Sequence, residues 1–175
     1  MITTDESILR KKSHNTSIAE CGREKIFERL AEALRKSDRP GVGLAAIQIG
    51  VPLRAALVNI PGMKMGLINP VIVERGPEKI FPGEGCLSVP GKEVSTKRNE
   101  WVAVEYANDA GIRRKATFKG VVAIIMQHEI DHMDGILITD REYKSKNKVG
   151  RNEPCPECLK EGITIKFKKC KKHFK

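Results

Sequence analysis

Two histidines four residues apart, with a glutamate beside the first, stand in Gln127-His128-Glu129-Ile130-Asp131-His132. On a helix, side chains at that spacing leave the same face one turn apart. Two neutral imidazoles so placed can chelate one divalent cation, with Glu129 available to take a proton from a water held on it. The cation would lower that water's pKa to about 7, so that hydroxide forms at neutral pH. A dry setting would poise Glu129 as base and then as acid. The same pattern also arises by chance on surface helices. Here it follows Val121, Val122, Ile124, Ile125 and Met126, so its imidazoles and carboxylates would be desolvated at a cost unless they had partners. A bound metal relieves most of that cost, which favours the metal reading.

Two histidines leave a third donor to find. Glu84-Gly85-Cys86-Leu87-Ser88-Val89-Pro90 offers Cys86, whose thiolate suits zinc or ferrous iron. A free cysteine is as often a small buried hydrophobe. The residues alone leave both readings open.

These groups need elements to position them. Ile26, Leu30, Ala33 and Leu34 recur at helical spacing, which predicts an amphipathic helix over residues 22–36, ended by Ser37-Asp38-Arg39-Pro40-Gly41. Cys21 stands at its start and is read as structural or incidental. Strands are expected at Ala55–Ile60, 67–73 and 101–106, and Asn108-Asp109-Ala110-Gly111 reads as a turn into a further strand over 112–118. Gly120–Met133 is apolar almost throughout its first two turns, so it should form a helix buried against the sheet. This order of elements indicates an α+β fold, with short antiparallel sheets around a buried helix.

The 175 residues suit one domain with a small appendage, and 40% hydrophobic with 31% charged residues is ordinary for a globular chain. No apolar run approaches the ~20 residues that span a bilayer. The start, Met1-Ile2-Thr3-Thr4-Asp5-Glu6, lacks the basic and apolar stretches of a signal peptide. A cytosolic location without membrane contact is expected, and the five cysteines there would be thiols or metal ligands. Charge is uneven: residues 141–175 hold 12 Lys+Arg against 4 Asp+Glu, a net of +8, whereas the first 140 carry only +2 of the total +10. A basic appendage on a near-neutral body suggests attraction to a polyanion, RNA rather than DNA, or simply a solvated tail.

The segments Gly41-Val42-Gly43-Leu44-Ala45-Ala46-Ile47-Gln48, Glu84-Gly85-Cys86-Leu87-Ser88-Val89-Pro90 and 127–137 resemble, in order, the three signature motifs of peptide deformylases. Ser7-Ile8-Leu9-Arg10 and Leu67-Ile68-Asn69-Pro70 are similar to members too, so the likeness spans about residues 2–142. It implies a metal-dependent hydrolase that removes the formyl group from N-formylmethionyl nascent peptides. By the same resemblance Cys86, His128 and His132 are the metal ligands and Glu129 is the general acid/base. The Gln48 side chain and the Leu87 N–H would receive the oxyanion, Val42, Gly43 and Gly85 would line the peptide channel, and Val121, Ile124 and Ile125 would form the methionine pocket. Ferrous iron is the implied cofactor, with zinc as substitute. Ile47 replaces a frequent proline at a position that should not touch the chemistry, and Met133 a usual leucine, a volume-conserving change.

Beyond a basic linker at 143–150, residues 151–175 carry Cys155-Pro156-Glu157-Cys158 and Cys170-Lys171-Lys172-His173. Two pairs of soft donors, each spaced by two, match a structural zinc site. So short a segment cannot bury a useful core, and its folding would depend on a metal that contributes ~10–16 kcal/mol in comparable peptides. Its flanks, from Val149-Gly150-Arg151-Asn152-Glu153-Pro154 to Lys166-Phe167-Lys168-Lys169, resemble the SEC-C motif, although both pairs are more widely spaced than is usual there. Its basic charge, beside a domain whose resemblance implies action on nascent chains, suggests a ribosome-docking tail. Two rival readings use the same residues. A zinc endopeptidase would want a glutamate or histidine soon after His132 as third ligand, and the candidates Glu142 and Glu153 have no supporting motif. A catalytically silent ribosome-binding homologue would not need the intact set Gln48, Cys86, His128, Glu129 and His132.

Overall fold

Along Ala55–Ile60 the first four residues are all buried, which a strand shows only when both of its faces are covered. The two faces feed two cores. Ala56 and Val58 join Leu67, Val102, Val104, Met126, Ile130 and Met133 on one side, whereas Ala55 and Leu57 meet Ile26, Leu30, Leu34, Leu44 and Ile68 on the other. Removing one such side chain, as in Leu30→Ala, would cost about 2–5 kcal/mol. A central sheet with a helix on each face follows from this alternation. The computed structural model describes residues 1–144, and Met1–Tyr143 form one compact unit. The tail positions Cys155, Cys158, Cys170 and His173 lie outside the described residues.

The sheet contains β1 (Gly43–Ala45), β2 (Ala55–Ile60), β3 (Met63–Arg75), β6 (Trp101–Ala107) and β7 (Arg113–Lys119), antiparallel throughout in the order β1-β2-β3-β6-β7. β1 is therefore an edge strand. A separate antiparallel pair, β4 (Glu78–Cys86) and β5 (Val89–Asn99), forms a long hairpin. Helix α4 (Gly120–Met133) lies on one face of the sheet and α3 (Ile26–Arg35) on the other, with short α1 (Glu6–Leu9) and α2 (Ile18–Arg23) before it. The architecture is α+β, as the order of elements indicates.

Three local differences have physical causes. The helix expected from residue 22 begins at Ile26, because Lys25 adopts a left-handed conformation with φ of 48° and breaks it from α2. Cys21 accordingly sits, buried, in the short preceding helix. β3 runs well past the predicted 67–73 and tolerates Pro70 in its interior through a bulge between Ile68 and Val71. Asn69 holds that bulge at φ 50° by bonding Thr16 through both ends of its amide, at 2.9 and 2.8 Å. Lastly, β4, β5 and the three-residue β1 were not expected as strands.

Candidate active site

Helix α4 is buried along most of its last two turns, including Gln127, Glu129, Asp131 and His132. Gln127 satisfies both ends of its amide on the Asn99 backbone of β5, accepting at 2.9 Å and donating at 3.0 Å, and so ties the helix to the hairpin. From this helix His128 and His132 bring their Nε2 atoms to 3.1 Å. The end of β4 delivers Cys86, whose Sγ lies 3.3 Å from His132 Nε2. All three donor atoms fall within 4.8 Å of one another.

The ring of His128 is oriented from behind. Its Nδ1 meets Glu84 Oε1 at 2.7 Å, which leaves Nε2 facing the cluster. Glu84 in turn accepts from Thr96 at 2.6 Å and from the Arg98 fork at 2.8 and 2.6 Å. Arg98 reaches onward to Asp131 at 2.6 Å, and Asp131 to Arg141 at 2.7 and 3.0 Å. Burial pushes the Glu84 carboxyl up, but Arg98 and His128 override it and hold the group far below the usual carboxylate range. Burial likewise disfavours charge on His128, yet Cys86 and Glu84 outweigh it and raise the imidazole to about 10. His132, desolvated and close to charged His128 and Arg98, is pushed well below its ordinary value. Charge is thus favoured on His128 and disfavoured on His132, which stays a neutral donor. One thiol and two imidazoles, one of them backed by a carboxylate, suit a borderline-soft divalent cation such as zinc or ferrous iron. The residues present fit the group.

Glu129 differs from Glu84 in every respect except burial. Its Oε2 has no hydrogen-bond partner. Burial raises its pKa to about 7, with His128 opposing and Glu84 reinforcing the shift. Gly43 on β1 makes room for it, since a Cβ at that position would overlap Glu129 Oε1. Gln48, on the 3-10 turn after β1, accepts from the Ala45 N–H at 2.8 Å and donates to Ser88 Oγ at 3.1 Å, so its Nε2 points toward Cys86 Sγ, 3.8 Å away. Arg39 donates to the carbonyls of Cys86 at 3.2 Å and Leu87 at 3.0 Å, bracing the backbone that carries the Leu87 N–H.

A cleft of about 400 Å³ opens onto these groups. Val42, Gly43, Gln48, Gly85, Cys86, Leu87, Val121, Ile124, Ile125, His128 and Glu129 all line it, whereas His132 lies beneath the surface. A wider groove of about 720 Å³ along α3 and the N-terminus contains none of the three donors, so the chemistry belongs to the smaller one. Sequence reasoning did not single out Glu84, Arg98, Arg39, Phe81 or Glu93. Glu84 lies two residues before Cys86, a signal that could have marked it as a partner for a ligand. Nothing local to Arg98 or Glu93 gave such a signal.

A helix presenting His-Glu-x-x-His, a sulfur donor from a hairpin and a buried carboxylate without a partner define a metal-dependent hydrolase. The chain belongs to the polypeptide deformylase family, whose sequence model matches residues 1–148. It is 37% identical over 162 residues to the peptide deformylase of Acetivibrio thermocellus, covering 85% of this chain and 94% of that one. With the peptide deformylase of Dictyoglomus thermophilum it shares 43% over 130 residues, 71% of this chain and 84% of the relative. The crystal structure of peptide deformylase from Thermotoga maritima superposes with a TM-score of 0.75 at 34% identity, over 82% of this chain and 97% of the other. Deformylation of peptides is therefore its activity.

Proposed function

We propose that this chain removes the formyl group from N-formylmethionyl ends of nascent polypeptides, releasing formate, with Cys86, His128 and His132 holding one divalent cation. One observation carries the reading: the unpartnered carboxylate oxygen of Glu129 lies beside the three-donor cluster, on a cleft walled by the Gln48 amide. A bound cation supplies Lewis acidity, bringing the pKa of water to about 7. Glu129 accepts the proton of the attacking water. The Gln48 Nε2–H and the Leu87 N–H receive the charge that develops on the formyl oxygen. Glu129 then returns the proton to the amine nitrogen as the C–N bond breaks, so formate and a free α-amine leave.

The substrate backbone pairs with the free edge of β1 at Val42–Gly43 and with β4 at Gly85, in the manner of an added strand. Val121, Ile124 and Ile125 offer an apolar surface to the methionine side chain. Ferrous iron is the proposed native cation and zinc its substitute, since the sulfur-nitrogen donor set accepts both. No helix among the described residues is long and apolar enough to cross a membrane, and a cytosolic site of action beside the ribosome fits the substrate. Cys155, Cys158, Cys170 and His173 would fold the SEC-C-like tail around Zn2+, and the basic excess there would favour ribosomal RNA.

Protein prepared anaerobically with iron should release formate from a formyl-Met tripeptide and lose that activity on chelation and in Glu129→Ala. No formate from the iron-loaded wild type would overturn the proposal. In the full chain, a second equivalent of metal should vanish in the Cys155→Ser/Cys158→Ser variant. Deleting residues 144–175 should weaken ribosome co-sedimentation in a salt-dependent way. Unchanged metal content or unchanged co-sedimentation would refute the corresponding role of the tail.

A further inference from the structure

Three carboxylates line the cleft, and two of them are already committed. Glu84 is enclosed by Thr96, Arg98 and His128, and Glu129 is buried against Gly43. The third, Glu93, is exposed, and its carboxylate takes part in no hydrogen bond or ion pair among the described residues.

Its position follows from the hairpin. Glu93 on β5 is the register partner of Gly85 on β4. Gly83 and Gly85 have no side chains to cover that surface, and Glu93 lies across it: a Cβ built at Gly85 would stand 3.8 Å from Glu93 Cγ, and one at Gly83 would stand 3.9 Å from Glu93 Oε2. The two glycines thus leave a bare trough along β4 with one carboxylate over its floor. The guanidinium of the cleft, on Arg39, is tied to the Cys86 and Leu87 carbonyls toward the other end.

We infer that Glu93 is a specificity-determining residue, selecting formyl-Met peptides with a cationic side chain at the second or third position over those with an anionic one. The inference rests on the deformylase reading of the same cleft. Gly83 is three residues before Cys86, and a regular strand rises about 3.3 Å per residue; with irregular pairing on both sides of Gly85 shortening the path, the Glu93 carboxylate lies within about 10 Å of the ligand sulfur along β4. An extended peptide whose formyl carbon sits at the donor cluster brings its second and third residues to that distance. Attraction to Lys and repulsion of Glu act at an exposed site, so each contributes a few-fold at most and both weaken with salt.

The test uses the metal-loaded full chain and C-terminally amidated peptides, which carry no competing terminal charge. kcat/KM is measured for formyl-Met-Lys-Ala and formyl-Met-Ala-Lys against their Glu counterparts. The Lys/Glu ratio should be roughly three- to twentyfold in the wild type at low ionic strength and should shrink toward one in about 0.5 M salt. It should fall near one in Glu93→Gln and below one in Glu93→Lys. Because each ratio is taken within one protein, a general loss of activity or stability does not move it. A wild-type ratio of one, or a ratio unchanged in Glu93→Gln, overturns the inference while leaving the deformylase reading intact. Failure of the wild type to release formate from neutral formyl-Met-Ala-Ala overturns that reading, and this inference with it.

Discussion

Glu84 and Glu129 are buried glutamates that both act on His128, yet their surroundings drive them in opposite directions. Glu84 sits in the hairpin among the hydroxyl of Thr96, the fork of Arg98 and the ring of His128, and stays ionised far below the usual range. Glu129 sits between α4 and β1, with one oxygen unpartnered and its pKa raised to about 7. Burial raises the pKa of both, so burial does not decide the difference. The number of donors does: a carboxylate that accepts several charge-assisted bonds is fixed as an anion, and one without them can exchange a proton near neutrality. Under the proposed mechanism the hairpin side of the site holds and the β1 side reacts.

Substitutions on the two sides should separate these roles. Glu129→Ala should lower kcat by about 10²–10⁴, while metal content and the unfolding midpoint stay near the wild type. Loss of bound metal in that variant would show that the two sides are not independent. Glu84→Gln should act through stability and metal retention: it removes one of the two buried countercharges of Arg98 and leaves Asp131, so the loss should fall below the about 3–5 kcal/mol of a wholly unpaired buried charge, and it loosens His128, worth about 10–100-fold in metal affinity. Urea unfolding and metal titration would read both effects. Gly43→Ala should displace the Glu129 carboxylate that its Cβ would overlap, and a shift of about 1 Å from the reacting position costs on the order of a hundredfold in kcat. Its metal affinity should be spared, which equilibrium dialysis would check.

An exposed ion pair makes the smallest contrast. Asp140 pairs with Arg10, and that hydrogen bond holds its carboxyl below the ordinary value. Its contribution is therefore present above the unfolded-state pKa and is lost as pH falls through the lower folded value. Both side chains are more than a third exposed, so Asp140→Asn should cost no more than about 1 kcal/mol. Stability curves of the two proteins, separate at neutral pH, should converge in acid.

Legibility in the sequence followed the range of the interactions. β2 and α4 fall on their expected bounds because uninterrupted apolar runs mark segments covered on more than one side. β4 and β5 escaped notice because they stand apart from the main sheet, carry Pro82, Gly83, Gly85, Pro90 and Gly91, and leave most residues exposed, so no alternation betrays them. Their few buried residues, Glu84, Cys86, Thr96, Arg98 and Asn99, are mostly polar and are buried by their partners rather than by hydrophobicity. Sequence patterns built on apolar periodicity do not register such strands.

From the sequence alone came the two imidazoles one turn apart on an apolar helix, with a glutamate between them, since helical geometry acts over a few residues. Whether Cys86 would meet those rings was a question only the tertiary structure decided, because the hairpin and α4 lie some forty residues apart and converge through the Glu84–Arg98–Asp131 chain. The same holds for the opposite fates of Glu84 and Glu129. A side chain's type is written in the sequence, but its proton affinity depends on which donors the fold brings to it.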